Sequence, residues 1–378
     1  MNKSDIAKIK RRLTADSRNP IVIRGRYVNG KKAVVSEFSR SLMSLTQTEC
    51  DKYTQIFKRA LSGEIGRNLT QLTFTMNEVM EGETHARLMQ LVHGGFEDET
   101  AANAFLDAVT ENTKLEGNNL ILLMHDTWDT DFSRSNRDEG ALETENASNV
   151  FEYIMCVVCP VKQGKPALSY DFADNDFKTR EPDYIVNAPV MGFMFPCFED
   201  GGANISGALF YSRDMGEDHS DFLTSALNAN EITPALEKRE SFKAVLMDAL
   251  EEECSYDVVE NMNSQLVEKL DEQKRDKEAD PARVGGKELA DMLLRSGVSD
   301  DRAESFKEKF DQEFGAGADL PLAGIAEDKQ FELRTPDVLV KVSSKQASLI
   351  ETRIIDGMKY ILIPADDGVT VNGISIDI

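Results

Sequence analysis

The stretch NLILLMHD, residues 119–126, is a short and nearly continuous apolar run. Such a run is typical of a buried central strand, and it is far too short to span a bilayer. Further segments with strand character precede and follow it, and together they predict an antiparallel or mixed sheet. These segments are QLTFTM (71–76), VFEYIMCVVCPV (150–161), PALSYDF (166–172), MGFMFPCF (191–198) and ISGALFYS (205–212).

Helices flank this predicted sheet. Apolar residues recur at helical spacing in residues 47–69, 83–93 and 97–114, and a short basic helix is predicted at 4–14. Between the basic helix at 4–14 and the helix at 47–69, IVIRGRYV (21–28) and KAVVSEF (32–38) flank Asn29 and Gly30. An Asn-Gly pair between two such runs predicts a β-hairpin, because both turn positions need a positive φ.

The pattern becomes helical from residue 234, and a charged run at 268–286 ends in Pro and Gly, as a hinge or linker does. The C-terminal residues alternate again around the turn signals Asp356-Gly357 and Asn372-Gly373, and we expect their apolar positions to be buried. The sequence therefore predicts an α+β protein with flanking helices, a helical middle region and a small C-terminal β module. The predicted boundaries are 1–233 for an α/β N-terminal domain, 234–280 for the helical region, 281–330 for a helix pair and 331–378 for the β module.

Charge is divided unevenly along the chain. The formal net charge is −24, yet residues 1–70 hold 15 Lys and Arg against 6 Asp and Glu, while residues 71–378 hold 28 against 61. A basic end on an acidic body has three physical uses: it meets phosphate, it meets an acidic partner protein, or it docks on the acidic surface of its own chain. A fourth interpretation is a merely solvated face.

The basic residues that we expect to bind lie on the predicted N-terminal helix and hairpin, with one tyrosine among them that is suited to stacking. If they bind duplex DNA, they contact its phosphate backbone, and no motif for reading bases accompanies them. The alternative is a protein–protein adaptor that uses the same residues on an acidic partner. The residues are Lys8, Lys10, Arg11, Arg12, Arg24, Arg26, Tyr27, Lys31 and Lys32.

The pair Cys156 and Cys159 has the C-x-x-C spacing of redox and metal sites. In a strand, however, residues three apart point to opposite faces, so the two thiols would not share a ligand. We expect both to be reduced core residues.

A different cluster, MHDTWDTD at 124–131, resembles an enzyme site more closely. His125 and Asp126 end the buried strand, and Asp129 and Asp131 follow in a predicted loop, so a divalent-metal-dependent hydrolase or nuclease is a further alternative. The competing interpretation is an ordinary strand exit into an acidic loop, because no second motif completes the site.

Motifs of the common enzyme classes are absent from the sequence. It contains no H-E-x-x-H, G-x-S-x-G, phosphate-binding G-x-x-x-x-G-K-[ST] or G-x-G-x-x-G, and we expect no cofactor. No apolar segment follows the basic N-terminus, so we expect no secretory signal, no membrane partner and a cytoplasmic location. The odd number of cysteines, five, agrees with reduced thiols in that compartment.

Several motifs resemble those of an uncharacterised bacterial family, domain of unknown function 4317, over nearly the whole chain. They include RALSGEIGRNL, LILLMHDTWD, GFMFPCFEDGGANI and ESFKAVLMDALEEECSYDVV. This resemblance implies no activity. The order of parts is also similar to that of NdpA-type nucleoid-associated proteins, which are acidic yet associate with DNA. This similarity depends on LILLMHD as a central strand, on KELADMLL and FKEKF before the C-terminal module, and on VLVKVSSKQASLIETRIIDGMKYILI within it. The leading hypothesis from the sequence is thus a non-enzymatic, DNA-associated cytoplasmic protein.

Overall fold

The computed structural model describes two compact units, Met1–Ala235 and Leu236–Ile378. The residues described are 1–14, 21–114, 116–129, 150–180, 183–199, 201–214, 216–229, 235–276, 278–365, 368–371 and 374–376.

An eight-stranded antiparallel sheet forms the centre of the first unit, with the order β2-β1-β4-β5-β9-β12-β3 and with β8 paired to β5. It confirms the predicted fold class, α+β. The strands of this unit are β1 (Val22–Val28), β2 (Val34–Ser41), β3 (Leu69–Thr73), β4 (Asn118–Asp129), β5 (Val150–Gln163), β6 (Ala167–Asp171), β7 (Asp176–Arg180), β8 (Tyr184–Val186), β9 (Met191–Phe195), β10 (Cys197–Glu199), β11 (Gly202–Asn204) and β12 (Gly207–Ser212).

Helices cover both faces of the sheet, and this explains why the sequences of β4 and β5 contain nearly continuous apolar runs. One face, here called the α1 face, packs against α1 and α2, and the other, the α5 face, packs against α4 and α5. The helices of the first unit are α1 (Lys3–Arg12), α2 (Gln47–Ala60), α3 (Met76–Glu81), α4 (Glu83–Gly94) and α5 (Glu99–Asn112), with a 3-10 turn at Leu42–Ser44 and a π-helical turn at Phe222–Ala226.

Local sequence explains where these helices begin. Asn2 and Thr46 each form a capping box with the acidic residue three positions later, Asp5 and Glu49, so their first turns have satisfied backbone N–H groups. Gly192 in β9 lies close to both the neighbouring strand and α2, because a Cβ at this position would lie 2.8 Å from the backbone oxygen of Cys156 in β5 and 3.2 Å from the Cβ of Ala60 in α2. The sheet and α2 therefore depend on a residue without a side chain here.

The second unit has a core of its own, formed by one face of each of its longer helices. The charged run that begins at residue 268 continues the helix α7 as far as Arg275. The helices of this unit are α6 (Ala235–Leu250), α7 (Tyr256–Arg275), α8 (Gly286–Arg295), α9 (Asp300–Phe314) and α10 (Leu322–Ile325), with 3-10 turns at Glu251–Glu253 and Ser344–Leu349.

The strands of the second unit form two-stranded pairs. They are β13 (Arg283–Gly285), β14 (Asp319–Pro321), β15 (Gln330–Arg334), β16 (Leu339–Ser343), β17 (Glu351–Ile355), β18 (Met358–Leu362), β19 (Val369–Val371) and β20 (Ile374–Ile376).

Phe331 of β15 is buried and contacts Tyr256 of α7, but every residue of β17 is exposed. The expectation of burial is therefore wrong for the hairpin β17–β18 and for the hairpin β19–β20, because among the described residues no second layer covers their apolar side chains. Among the helices that the structure describes, none has the length and apolarity to cross a membrane.

Candidate functional site

Arg12 anchors the N-terminal helix to the centre of the sheet. Its guanidinium donates to both carboxylate oxygens of Asp126, over 3.1 Å in each case, and to the backbone oxygen of Thr127. Asp126 is fully buried, and the Tyr153 hydroxyl also donates to it over 2.9 Å. Burial and this carboxylate raise the pKa of Tyr153 well above its usual value. A positive charge that the sequence suggested for binding is thus paired inside the protein, on the α1 face.

Two further arginines of the predicted binding set lie on the opposite face. Arg24 donates to Glu99 over 3.0 Å and to the backbone oxygen of Phe96. Arg26 is buried and pairs with Glu37, its cross-strand neighbour, and with Asp107 of α5. Both side chains therefore connect β1, the strand next to the sheet edge, to α5.

The remaining members of the set are more accessible. Lys8 pairs with the carboxylate of Asp5 at 3.5 Å, and Arg11 is exposed. Partial burial lowers the pKa of the Lys10 amine. At the hairpin, Lys31 is exposed, Lys32 donates to the backbone oxygen of Glu111, and the Tyr27 hydroxyl accepts from Asn118.

The nine residues are consequently not gathered into one patch. The helix residues lie on the α1 face, Arg24 and Arg26 contact the α5 face, and Lys31 and Lys32 occupy the turn between β1 and β2. A basic N-terminus has three physical uses, and one of them is docking on the acidic groups of its own chain. Arg12, Arg24 and Arg26 are used in this way. Sequence alone did not reveal this, because the acidic partners are between 11 and 114 residues away from the arginines they bind.

The structure separates the residues of the predicted metal site. His125 points to the α5 face, where Nε2 lies 2.7 Å from the backbone oxygen of Val92, while Asp126 points to the α1 face and is occupied by Arg12 and Tyr153. Asp129 ends β4, and Asp131 lies outside the described residues. In the described part of the chain, no three His, Cys, Asp or Glu side chains are arranged to hold a metal ion.

Cys156 and Cys159 both lie in β5, and their side chains belong to the cores on opposite faces of the sheet. The strand argument is confirmed. Burial raises the pKa of both thiols, that of Cys159 to about 12. Neither thiol has the character of a nucleophile, since the thiolate is the reactive form.

An exposed aromatic hairpin is the surface feature that sequence reasoning missed. The strands β6 and β7 extend from the end of the β5–β8 pair, where Gly164 donates its N–H to the oxygen of Asp183. On this hairpin Phe172 is 91% exposed, Leu168 71% and Phe177 64%. Tyr170 contacts both phenylalanine rings, with centroid distances of 5.0 and 5.3 Å. The available signal was the set of aromatic residues around an Asp-rich turn, but PALSYDF was predicted to be one strand of the sheet.

A groove on the α1 face lies between α2 and the strands β4 and β8. Its volume is about 480 Å³, and Tyr53, Ile56, Leu120 and Val186 supply its apolar lining. The other lining residues are polar or charged, and all but one come from α2: they are Thr48, Glu49, Lys52, Gln55, Arg59 and Asn187.

The comparisons with known proteins concern the whole chain. The family model described as a domain of unknown function (DUF4317) matches residues 1–374. A search of curated proteins found no match. The family resemblance of the sequence motifs is confirmed, whereas the similarity in architecture to NdpA-type proteins stays a prediction. The chain belongs to the DUF4317 family.

Proposed function

We propose that this chain is a non-enzymatic cytoplasmic interaction protein and that its partner is another protein. The observation that supports the proposal is the aromatic hairpin of β6 and β7, which presents Leu168, Phe172 and Phe177 to solvent. Exposed apolar patches of this kind mark interaction sites, and aromatic side chains carry much of the binding energy at protein interfaces.

The charges around the hairpin indicate the chemistry of the partner. Asp171, Asp174 and Asp176 lie at its tip, and Lys178 pairs with the first two of them. The hairpin is therefore apolar with an acidic rim, which favours a partner surface with apolar pockets and cationic side chains around them.

Protein is favoured over duplex DNA because of where the basic residues lie. Three of the predicted contact arginines form ion pairs within the chain, and the full set is divided between two faces of the sheet and one turn. Backbone binding needs several cations on one accessible surface, since each neutralised phosphate contributes separately to affinity. DNA binding remains a prediction that a direct measurement can decide.

The test of the proposal is affinity purification of the tagged chain from its own host at about 0.5 M salt. We expect a stoichiometric protein complex, because apolar contacts are not weakened by screening. The double variant Phe172→Ser/Phe177→Ser should lose the partner, and the matched control Met43→Ser, another exposed apolar residue on a separate element, should keep it. A complex that survives in the hairpin variant, or no complex at all, contradicts the proposal.

The DNA hypothesis is measured in parallel by fluorescence anisotropy with a duplex probe at about 20–50 mM salt. The informative variant replaces Lys8, Lys10 and Arg11 by Gln and leaves Arg12 in place, because Arg12 is part of a buried ion pair. The outcome that favours DNA has two parts: the wild type binds the duplex, and in the variant the slope of log K against log salt is flatter by about 0.9 for each lost phosphate contact. With that outcome, duplex DNA would replace protein as the leading partner.

A further inference from the structure

The groove on the α1 face combines an apolar floor with charged walls. Tyr53 and Ile56 from α2 face Leu120 of β4 and Val186 of β8 across it. Its volume of about 480 Å³ lies in the range of small-molecule sites, which are mostly apolar with a few polar groups that set orientation. The groove is therefore large enough for a ligand with an apolar body of drug-like size or smaller.

Two cations of α2, Lys52 and Arg59, line this groove seven residues apart. Seven residues of helix correspond to about 10 Å, so the cations stand near its two ends with Tyr53 and Ile56 between them. Within the described residues, neither cation has a carboxylate at ion-pairing distance, although acidic residues outnumber basic ones in the chain by 67 to 43. Arg12, Arg24 and Arg26, in contrast, all have such partners.

The two ends of the groove differ in charge. Glu49 lines the end near Lys52, where its carboxylate accepts from the backbone N–H and the hydroxyl of Thr46 over 3.0 and 2.8 Å. It stays ionised, because these hydrogen bonds lower the pKa of its carboxyl. No such anion lines the end at Arg59, so this end is the more positive of the two.

A second arginine, Arg213, lies near the groove without lining it. Arg213 donates to the backbone oxygen of Ala188, the neighbour of the groove residue Asn187. Both Arg59 and Arg213 lie close enough to Cys159 to act electrostatically on its thiol. The groove is thus polarised, with an apolar middle and a positive end formed by arginine, the side chain best suited to carboxylate recognition.

We propose that this groove binds a small amphipathic carboxylate, with the carboxylate at Arg59 and the apolar body against Tyr53 and Ile56. An anion at this end would meet a guanidinium that has no carboxylate partner among the described residues, and the apolar body would cover side chains that are only half-buried in the free protein. The proposal does not depend on the aromatic hairpin or on any protein partner.

The test is isothermal titration calorimetry with decanoate as the probe and decan-1-ol as the uncharged analogue. We expect saturable one-to-one binding of decanoate, and binding of decanol that is weaker by about fivefold or more. Arg59→Gln should weaken decanoate at least about tenfold while leaving decanol within about twofold. Lys58→Gln, on the same helix but not lining the groove, is the matched control and should change neither.

A second variant separates the site from general hydrophobic adsorption. Ile56→Gln should weaken decanoate and decanol together, because it removes part of the apolar floor that both share. Each variant is checked for an unchanged circular dichroism spectrum before titration. Decanoate binding that is equal in wild type and Arg59→Gln, or absent in the wild type up to about 2 mM, overturns the proposal.

Discussion

The contact of Arg12 with Asp126 and Tyr153 makes a quantitative prediction about stability. In Arg12→Met the carboxylate of Asp126 stays fully buried, and among the described residues the Tyr153 hydroxyl is the one side chain left to donate to it. Removing one partner of a buried ion pair costs about 3–5 kcal/mol, because a charge is left in the interior without compensation. For a unit of this size, with about 2–4 °C per kcal/mol, the melting temperature should fall by roughly 6–20 °C.

A double-mutant cycle identifies the origin of this loss. Asp126→Leu should also cost about 3–5 kcal/mol, since it leaves the Arg12 guanidinium and the Tyr153 hydroxyl without their acceptor. The double variant Arg12→Met/Asp126→Leu buries no unpaired charge; it leaves the Tyr153 hydroxyl without its acceptor and removes the hydrogen bond from Arg12 to the Thr127 backbone oxygen, at about 1–3 kcal/mol. The coupling free energy should therefore be about 3 kcal/mol or more.

The assay is urea denaturation followed by tryptophan fluorescence. The chain has one tryptophan, Trp128, which lies in β4 and contacts Phe198, so the signal reports on the first unit alone. Lys8→Gln on the same helix is the control and should change the unfolding free energy by less than about 1 kcal/mol, as expected for a partly exposed pair. A loss below about 1 kcal/mol for Arg12→Met, or additive single variants, refutes the reasoning.

Three other predictions test separate parts of the chain. Cys254 is half-buried and the other four thiols are buried, and burial raises the pKa of Cys159 to about 12. A maleimide at pH 8 should therefore label Cys254 first, and equal labelling of all five thiols in the native protein would contradict this. Phe331→Asp should destabilise the second unit by several kcal/mol because Phe331 is 8% exposed, while Ile361→Asp should cost less than about 1 kcal/mol at 37% exposure; similar losses in urea melts would contradict this. Burial lowers the pKa of His219, so the imidazole binds a proton less readily in the folded protein than in the unfolded chain. The unfolding free energy should therefore decline as the pH falls below about 6.5, and His219→Gln should lessen that decline.

The sequence alone determined the features that depend on neighbouring residues. The sequence predicted the hairpin of β1 and β2, and the apolar run at 119–126 predicted the central strand β4. The predicted two-residue turn is wrong, because the ladder closes at Val28 and Val34 and the positive φ, 60°, is at Lys32. Asn29 instead accepts the backbone N–H groups of Lys31 and Ala33 with its side-chain oxygen. The opposite facing of Cys156 and Cys159 followed from the two-residue period of a strand. Each of these depends on neighbouring residues: two strand-like runs joined by turn-forming residues, a strand covered on both sides, and an alternation of faces.

Tertiary structure decided where the charges and the surfaces lie. A count of Lys and Arg in residues 1–70 cannot show that Asp126, Glu99 and Asp107 come from distant strands and helices to meet them. The aromatic hairpin and the groove beneath α2 were hidden for the same reason, because exposure depends on which second layer covers a residue. Long-range contacts thus place three arginines of the basic N-terminal region in ion pairs within the chain. The aromatic hairpin and the groove stay accessible, and no local sequence pattern predicted either surface.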